Sequence, residues 1–270
     1  MKKKKLIVDQ IGHHFELCST PKRIISLVPS QTELLYSFGL DEEVVGITKF
    51  CIHPTEWFES KKRVGGTKTL SLEKISALKP DFIIANKEEN TESEIKALQK
   101  LYPVYTSDIS NLSESLQMIQ EIGKITGKEA ESTSMVEKIK QRFDTLIPFS
   151  DKENKALYLI WKDPYMSINQ HTFINDMITR SGFQNVINDE NVYPMISEEQ
   201  INELNPDFIF LSSEPFPFKE KHLLSFEKQF PKAKIVLVDG EYFSWYGSRL
   251  LDAPDYFSNL VKHLCEQKKG

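Results

Sequence analysis

The sequence predicts an α/β protein of two similar lobes, each with a parallel sheet, joined by one long rigid helix and enclosing a ligand cleft between them. Three observations support this prediction. Short apolar runs alternate with helical segments, one stretch recurs in the second half of the chain, and a long helical region lies between the two copies. Short strands that alternate with helices are typical of parallel α/β units.

The N-terminal part supplies the first alternating elements. Residues 6–17 predict a hairpin with Gly12 at its turn, and the apolar run 24–28 predicts a buried strand that Pro29 ends. We expect Ser30 or Thr32 to cap a helix that runs through Phe38 and stops at Gly39. The next predicted elements are a strand at 44–47, a helix at 71–78, a strand at 82–85, a helix at 95–101 and a strand at 104–105.

Residues 111–147 interrupt this alternation with two helical runs. The second run predicts a helix of about 20 residues, roughly 30 Å long at 1.5 Å per residue. After Pro148 the short strands resume at 155–160. The sequence therefore predicts an N-terminal lobe at 1–110, a connecting helical segment at 111–149 and a C-terminal lobe at 150–270.

The strongest internal signal is a repeat, in which residues 71–84 align without gaps on residues 197–210 and eight of the fourteen positions are identical. One helix-turn-strand unit repeated at this distance differs from a solenoid, whose periods are short. It indicates a similar α/β lobe in each half of the chain. A cleft between two lobes is a common place for a ligand.

The composition and charge of the chain argue against several features. A net charge of −5 over 270 residues gives no reason to expect a nucleic-acid partner. The basic run Lys2–Lys5 is followed by too short an apolar stretch for a signal peptide, so none is expected in this chain. Cys18, Cys51 and Cys265 are too few and too scattered for a disulfide framework.

The sequence contains no GxSxG, GxxxxGK[ST], GxGxxG or HExxH pattern, so we expect no catalytic residues and no resident cofactor. One alternative is a metal site formed by Cys51, His53 and Glu56 with His171, although their spacing matches no defined ligand motif. A second alternative is an enzyme, because parallel α/β lobes also serve many transferases.

Three ordered segments carry a family resemblance: residues 21–34, the Leu-Glu-x-Ile-x-x-Leu-x-Pro-Asp-x-Ile pattern at 72–83, and the tail 242–250. Together they resemble the helical-backbone periplasmic binding proteins of ABC importers, and the cobalamin-binding and ferric-siderophore-binding branch is the most similar. The resemblance implies a monomer that binds a small metal chelate without catalysis, a corrinoid first and a ferric siderophore or haem next. Broad, partly apolar ligands of this kind suit aromatic side chains. The ligand-binding positions implied by the resemblance are Phe50, Lys68, Asn86, Trp161, Tyr165, Phe216, Tyr242, Trp245 and Tyr246.

The resemblance also implies a membrane partner, the permease dimer of the importer. Glu73 and Glu199 match the positions through which the family docks on the permease, and they occupy the same slot of the internal repeat. A protein with two similar lobes that meets a twofold partner needs the same charge on both lobes. Family resemblance favours a periplasmic or other extracytoplasmic location, while a cytoplasmic enzyme or sensor derived from the same fold remains the alternative.

Overall fold

The computed structural model describes residues 5–150 and 154–267, and these residues form two compact units. Unit 1 comprises the described residues within Met1–Ile109, Ser113–Ile139 and Tyr246–Arg249. Unit 2 comprises those within Ser110–Leu112, Lys140–Trp245 and Leu250–Gly270. Lys2, Lys3 and Lys4, on which the expectation about a signal peptide depends, lie outside the described residues.

Unit 1 is an α/β unit in which strands and helices alternate. Its strands are β1 (Lys5–Val8), β2 (His14–Leu17), β3 (Ile24–Ser26), β4 (Val44–Ile47), β5 (Lys62–Arg63), β6 (Gly65–Gly66), β7 (Thr69–Leu70), β8 (Phe82–Asn86) and β9 (Val104–Ser107). The helices between them are α1 (Pro29–Ser37), α2 (Thr55–Ser60), α3 (Leu72–Ala77) and α4 (Glu92–Gln99).

The described strands of unit 1 form a parallel sheet in the order β5-β4-β3-β8-β9, while β1 and β2 pair as the predicted antiparallel hairpin. The central strands β3 and β8 are buried along their whole length, as expected for a parallel sheet covered on both faces. Their apolar side chains pack with those of α3 and α4 in one core, which includes Ile25, Ile75, Ile83, Ile95 and Leu98.

Two helices follow, α5 (Leu112–Thr126) and α6 (Glu129–Asp144), and the boundary between the units falls inside α6, after Ile139. Gly127, between them, has the left-handed φ of 73° that commonly ends a helix. At 16 residues, α6 is shorter than predicted and spans about 24 Å. Pro148 disfavours a helical conformation at the residue before it, so the apolar Leu146 and Ile147 do not extend the helix.

Unit 2 repeats the alternation. Its strands are β10 (Lys155–Leu159), β11 (Tyr165–Met166), β12 (Gln184–Asn185), β13 (Met195–Ile196), β14 (Phe208–Ser212) and β15 (Lys234–Val238). Its helices are α7 (Phe173–Arg180), α8 (Glu198–Leu204), α9 (Glu220–Gln229), α10 (Glu241–Ser244) and α11 (Ala253–Gln267), and a short 3-10 helix spans Ser248–Leu251 across the boundary of the units.

The described strands of the main sheet in unit 2 run parallel in the order β12-β10-β14-β15. Aromatic side chains dominate its packing. Phe183 contacts Phe208 and Phe210 edge-on, with ring centroids 5.3 and 5.0 Å apart, and stacks on Phe149 at 4.8 Å. Two parallel sheets, one in each unit, confirm the predicted α/β fold class.

The internal repeat corresponds to one structural element in each unit, a short helix followed by a central strand. Ser71 caps α3 and Ser197 caps α8 through the same side-chain contact, to the amide three residues on. The left-handed residues Lys79 (φ 47°) and Asn205 (φ 43°) stand at equivalent positions before the shared Pro-Asp pair. The repeat therefore predicted the same local structure in both halves of the chain.

The start of α1 differs from the prediction. Val28 occupies the N-cap and Pro29 the first helical position, where its fixed φ suits a helix and its missing N–H costs nothing. The Thr32 hydroxyl instead donates within the helix, to the carbonyl oxygen of Val28 at 2.8 Å. Within residues 5–150 and 154–267, no helix has the length and apolar character needed to cross a bilayer.

Candidate functional site

The predicted ligand-binding residues are divided between the units and lie mainly after the carboxyl ends of parallel strands. In unit 1, Phe50 follows β4, Asn86 ends β8 and Lys68 lies between β6 and β7. In unit 2, Trp161 follows β10, Phe216 follows β14, and Tyr242 and Trp245 follow β15. In open α/β sheets ligands bind outside the carboxyl ends of the strands. Tyr165 lies on β11 and Tyr246 belongs to unit 1.

Phe50 is the more exposed of the two predicted aromatic residues of unit 1. Its side chain is 51% exposed, and the Nζ atom of Lys49 lies 5.0 Å from the centre of its ring. Removal of apolar surface from water is favourable in free energy. A ligand that covered this exposed ring beside the strand end would therefore be stabilised by its burial. Lys68 is also exposed, and its ammonium group donates to the carbonyl oxygen of Glu88.

Asn86 is buried and fully engaged within unit 1. Its Nδ2 donates to the hydroxyl of Ser107 at 3.1 Å, and its Oδ1 accepts from the amides of Glu88 and Glu89 at 2.8 and 3.0 Å. These contacts hold the loop that leaves β8. The role of Asn86 in unit 1 is therefore to shape that loop.

Tyr246 is likewise buried, with 5% of its surface exposed, and its hydroxyl donates to Oε1 of Glu89 at 3.2 Å. Burial, with the negative charge of Glu89, raises the pKa of Tyr246 far above its ordinary value. The phenol is therefore neutral at physiological pH and acts as a hydrogen-bond donor.

A buried polar network at the carboxyl edge of the unit 1 sheet was not predicted. The Nε2 atom of Gln31 donates to the hydroxyl of Ser107 at 2.5 Å, and the hydroxyl oxygens of Thr32 and Ser26 lie 2.8 Å apart. The Cys51 thiol lies 3.1 Å from the hydroxyls of both Thr32 and Thr48. The available signal was the placement of polar residues directly after apolar strand runs.

The Cys51 thiol is fully buried. Burial raises its pKa to about 11, so the thiol stays protonated at physiological pH. Across residues 5–150 and 154–267, no group of three or more His, Cys, Asp or Glu side chains is arranged to hold a metal ion. Within unit 1, Cys51, His53 and Glu56 therefore form no such group.

The tail motif contacts the first helix within unit 1. Arg249 donates to Oε2 of Glu33 at 2.6 Å, and the hydroxyl of Ser248 donates to Oε1 of the same carboxylate at 3.0 Å. Gly247 has a φ of 126°, a conformation that side chains rarely adopt. Two of the three segments that carried the resemblance, 21–34 and 242–250, are therefore joined through one half-buried ion pair.

Trp161 is the most exposed predicted residue of unit 2, at 40%, and it packs edge-on against Phe216 with the ring centroids 5.7 Å apart. Phe216 continues to Phe218 at 4.7 Å. Such edge-to-face contacts fix the rings in place. The two side chains therefore present a preformed aromatic surface after β10 and β14.

The remaining aromatic residues of unit 2 are less accessible. Tyr165 packs on Phe226 at 5.4 Å and donates to Oε1 of Gln229 at 3.3 Å, while Tyr242 stacks on Tyr256 at 4.4 Å. Trp245 is only 7% exposed, and its indole N–H donates to Oε1 of Glu214 at 3.0 Å.

Glu214 is a buried carboxyl group that the sequence analysis missed. Burial raises its pKa, and the nearby charges of Glu241 and Asp239 act in the same direction, while hydrogen bonds from Ser244 and Trp245 oppose the shift. Burial destabilises the charged carboxylate more than the two hydrogen bonds stabilise it. Its position after β14, at the carboxyl edge of the sheet, offered a signal in the sequence.

The two glutamates predicted to contact a permease occupy matching positions. Glu73 lies in the first turn of α3 and Glu199 in the first turn of α8, and both are exposed. The hydroxyl of Ser197 and the backbone amide of Glu199 itself lower the pKa of Glu199. A carboxylate in the first turn also interacts favourably with the helix dipole.

Comparisons with known proteins agree with this architecture. The family model described as periplasmic binding protein matches residues 24–233. An uncharacterised ABC transporter substrate-binding lipoprotein of Bacillus subtilis, YvrC, is 30% identical over 75% of this chain and 67% of its own length. A vitamin B12-binding protein of Vibrio cholerae is 29% identical over 71% and 70% of the two chains.

Among solved structures, one described as a possible iron-binding (periplasmic solute-binding) protein from Staphylococcus epidermidis superimposes with a TM-score of 0.75 at 25% identity. The match covers 91% of this chain and 99% of the other. The family model alone spans most of the sequence, including residues 24–34 of the first segment of the resemblance, the whole second segment and both copies of the repeat. The chain therefore belongs to the periplasmic binding protein family.

Proposed function

We propose that this protein is the substrate-binding component of an ABC importer, and that it binds a corrinoid without catalysis and delivers it to a permease. One observation carries the proposal: in each unit an exposed aromatic side chain, Phe50 or Trp161, directly follows the carboxyl end of a strand in the main parallel sheet. The relatives named for vitamin B12 binding support the choice of ligand.

The proposed contacts differ in kind. In unit 1, Phe50 provides apolar surface to the ligand and Lys68 provides a cation. In unit 2, Trp161 provides apolar surface together with Phe216, Tyr165 and Tyr242. The buried residues Asn86, Trp245 and Tyr246 shape the loops that carry the exposed ones, because their polar atoms already bind Ser107, Glu214 and Glu89. Aromatic anchors with a few fixed polar groups are typical of small-molecule sites.

Two exposed aromatic variants test the ligand surface. Replacement of Phe50 or Trp161 by alanine removes a large apolar contact, and we expect each change to weaken cyanocobalamin binding by about 10- to 100-fold, equivalent to about 1.4–2.8 kcal/mol. Leu101→Ala is the matched control, since Leu101 is 68% exposed and was not predicted to bind ligand. Equal affinity for cyanocobalamin in all three variants would contradict the proposal that Phe50 and Trp161 bind the ligand.

The permease contact is tested in the same series. We propose that Glu73 and Glu199 pair with cationic side chains of a permease dimer, because the two carboxylates are exposed at equivalent positions of the repeat. Charge reversal at both positions should abolish uptake in a reconstituted transporter while ligand affinity stays unchanged. A parallel loss of affinity would refute this assignment.

The same proposal covers the organisation of the chain. We propose that residues 1–110 and 150–270 act as two ligand-contacting parts connected by 111–149, and that the protein works as an extracytoplasmic monomer. A monomeric mass in solution, measured by light scattering with and without ligand, tests the last point.

A ferric chelate is the second candidate ligand. The structural similarity to the Staphylococcus epidermidis protein described as possibly iron-binding favours it. An aromatic surface with nearby lysines suits a ferric siderophore or haem as well as a corrinoid. Parallel titrations with cyanocobalamin, haemin and a ferric catecholate distinguish the candidates.

A further inference from the structure

His222, in the first turn of α9, belongs to the same aromatic surface of unit 2 as Trp161. Its imidazole centre lies 5.5 Å from the ring of Phe216 and 5.6 Å from that of Phe218. Phe216 in turn contacts Trp161 at 5.7 Å. A ligand that covers Trp161 and Phe216 would therefore meet His222 at the edge of the same surface.

One hydrogen bond determines which nitrogen of His222 carries the proton. Nδ1 lies 2.9 Å from the backbone nitrogen of Lys219, whose N–H can only donate. Nδ1 is therefore the acceptor, and in the neutral imidazole the proton is on Nε2. Nε2 presents an N–H donor, which suits an anion or a carbonyl group and not a metal ion.

The charges around His222 are predominantly positive. Burial lowers its pKa, and the positive charges of Lys221, Lys162 and Lys219 lower it further, so the ring is neutral at physiological pH. Lys162 lies 3.8 Å from the carboxylate of Asp163, and Glu220 is the acidic neighbour on α9. Lys219 and Lys221 are both exposed. The edge of the aromatic surface thus combines an N–H donor of fixed orientation with exposed ammonium groups.

We propose that His222, with Lys219 and Lys221, binds an anionic oxygen group of the ligand. This inference rests on the proposed function, because in cobalamin the group with this chemistry is the phosphodiester that links the corrin side arm to the ribose of the nucleotide. The fixed N–H supplies direction and the lysines supply charge, a combination that suits phosphate oxygens. The phosphodiester binds at the edge of the surface on which Trp161 and Phe216 hold the corrin ring.

The test compares two ligands and two substitutions at one position. Dicyanocobinamide keeps the corrin ring but lacks the phosphodiester and the nucleotide base. His222→Glu and His222→Gln both keep an acceptor for the Lys219 N–H at the third position of the helix, where Glu and Gln commonly serve this purpose. Only glutamate places a negative charge at the anion site, whereas glutamine keeps an N–H donor.

We expect His222→Glu to weaken cyanocobalamin binding at least about tenfold and to leave dicyanocobinamide binding within about twofold of the unchanged protein. His222→Gln should retain most of the cyanocobalamin affinity. Lys228→Glu, at the other end of α9, controls for net charge and should change neither affinity.

Equal weakening of both ligands by His222→Glu, or no weakening of either, would overturn the inference while the corrinoid function stands. If the unchanged protein bound neither ligand, the proposed function itself would fail, and the inference with it.

Discussion

The repeat places an aspartate at the same point in each unit, and the two make different numbers of hydrogen bonds. The Asp81 carboxylate accepts from the backbone amides of both Lys22 and Arg23 at 2.8 Å. Among residues 5–150 and 154–267, the Asp207 carboxylate accepts from one backbone amide, that of Lys155, at 2.8 Å. In both units the aspartate therefore ties the start of one sheet strand to its neighbour in the same sheet.

The difference in bonding predicts a difference in stability. A hydrogen bond to a charged group contributes about 1.5–3 kcal/mol, and partial exposure at both sites favours the lower end of that range. Asp81→Ala should therefore cost about 3 kcal/mol and Asp207→Ala about half as much. Asp81→Asn keeps one acceptor oxygen and should fall between Asp81→Ala and the unchanged protein.

Urea unfolding followed by tryptophan fluorescence measures these costs, because Trp57 reports on unit 1 while Trp161 and Trp245 report on unit 2. The expected order of destabilisation is Asp81→Ala, then Asp81→Asn and Asp207→Ala. An Asp207→Ala variant as unstable as Asp81→Ala would show that the number of hydrogen bonds does not determine the loss in unfolding free energy.

The left-handed position of the repeat and the buried carboxyl group lead to two more predictions. Lys79→Asn should raise the melting temperature by about 1–2 °C, because Asn tolerates positive φ better than Lys. Asn205→Lys should lower the melting temperature by a similar amount. Differential scanning calorimetry measures both changes. Glu214→Gln keeps an acceptor for the Trp245 N–H but removes a carboxyl group whose pKa is raised by burial. Because a raised pKa makes the charged form costly, the variant should be more stable than the unchanged protein at mildly alkaline pH, and the gain should shrink as pH falls through that pKa. A gain that grew towards acid pH in unfolding experiments would contradict the sign.

The local elements were largely predictable because their signals are local. The Ser cap, the apolar spacing and the Pro-Asp pair of the repeat each act within a few residues, and they predicted α3, β8, α8 and β14 correctly. The errors arose where two local signals compete. At α1, Pro29 marks the first helical position, so the helix starts before the hydroxyl residues Ser30 and Thr32. After α6, Pro148 disfavours a helical conformation at Ile147, so the apolar residues there lie outside the helix.

The exposure of the candidate residues could not be predicted, because it depends on partners far away in sequence. Trp245 is buried against Glu214, 31 residues away, and Tyr246 against Glu89, 157 residues away. The chemical type of a residue does not reveal such contacts. His222 was not predicted for a different reason: its partners Phe216 and Lys219 are close in sequence, but the capping-box pattern specifies Glu or Gln at its position.

The most direct test of the central claim is a calorimetric titration of the purified protein with cyanocobalamin at neutral pH. We expect saturable one-to-one binding with a dissociation constant of about 1 μM or lower, which corresponds to a binding free energy of about −8.2 kcal/mol or stronger. A titration that showed no binding at any accessible concentration of cyanocobalamin would contradict the corrinoid function proposed for this protein.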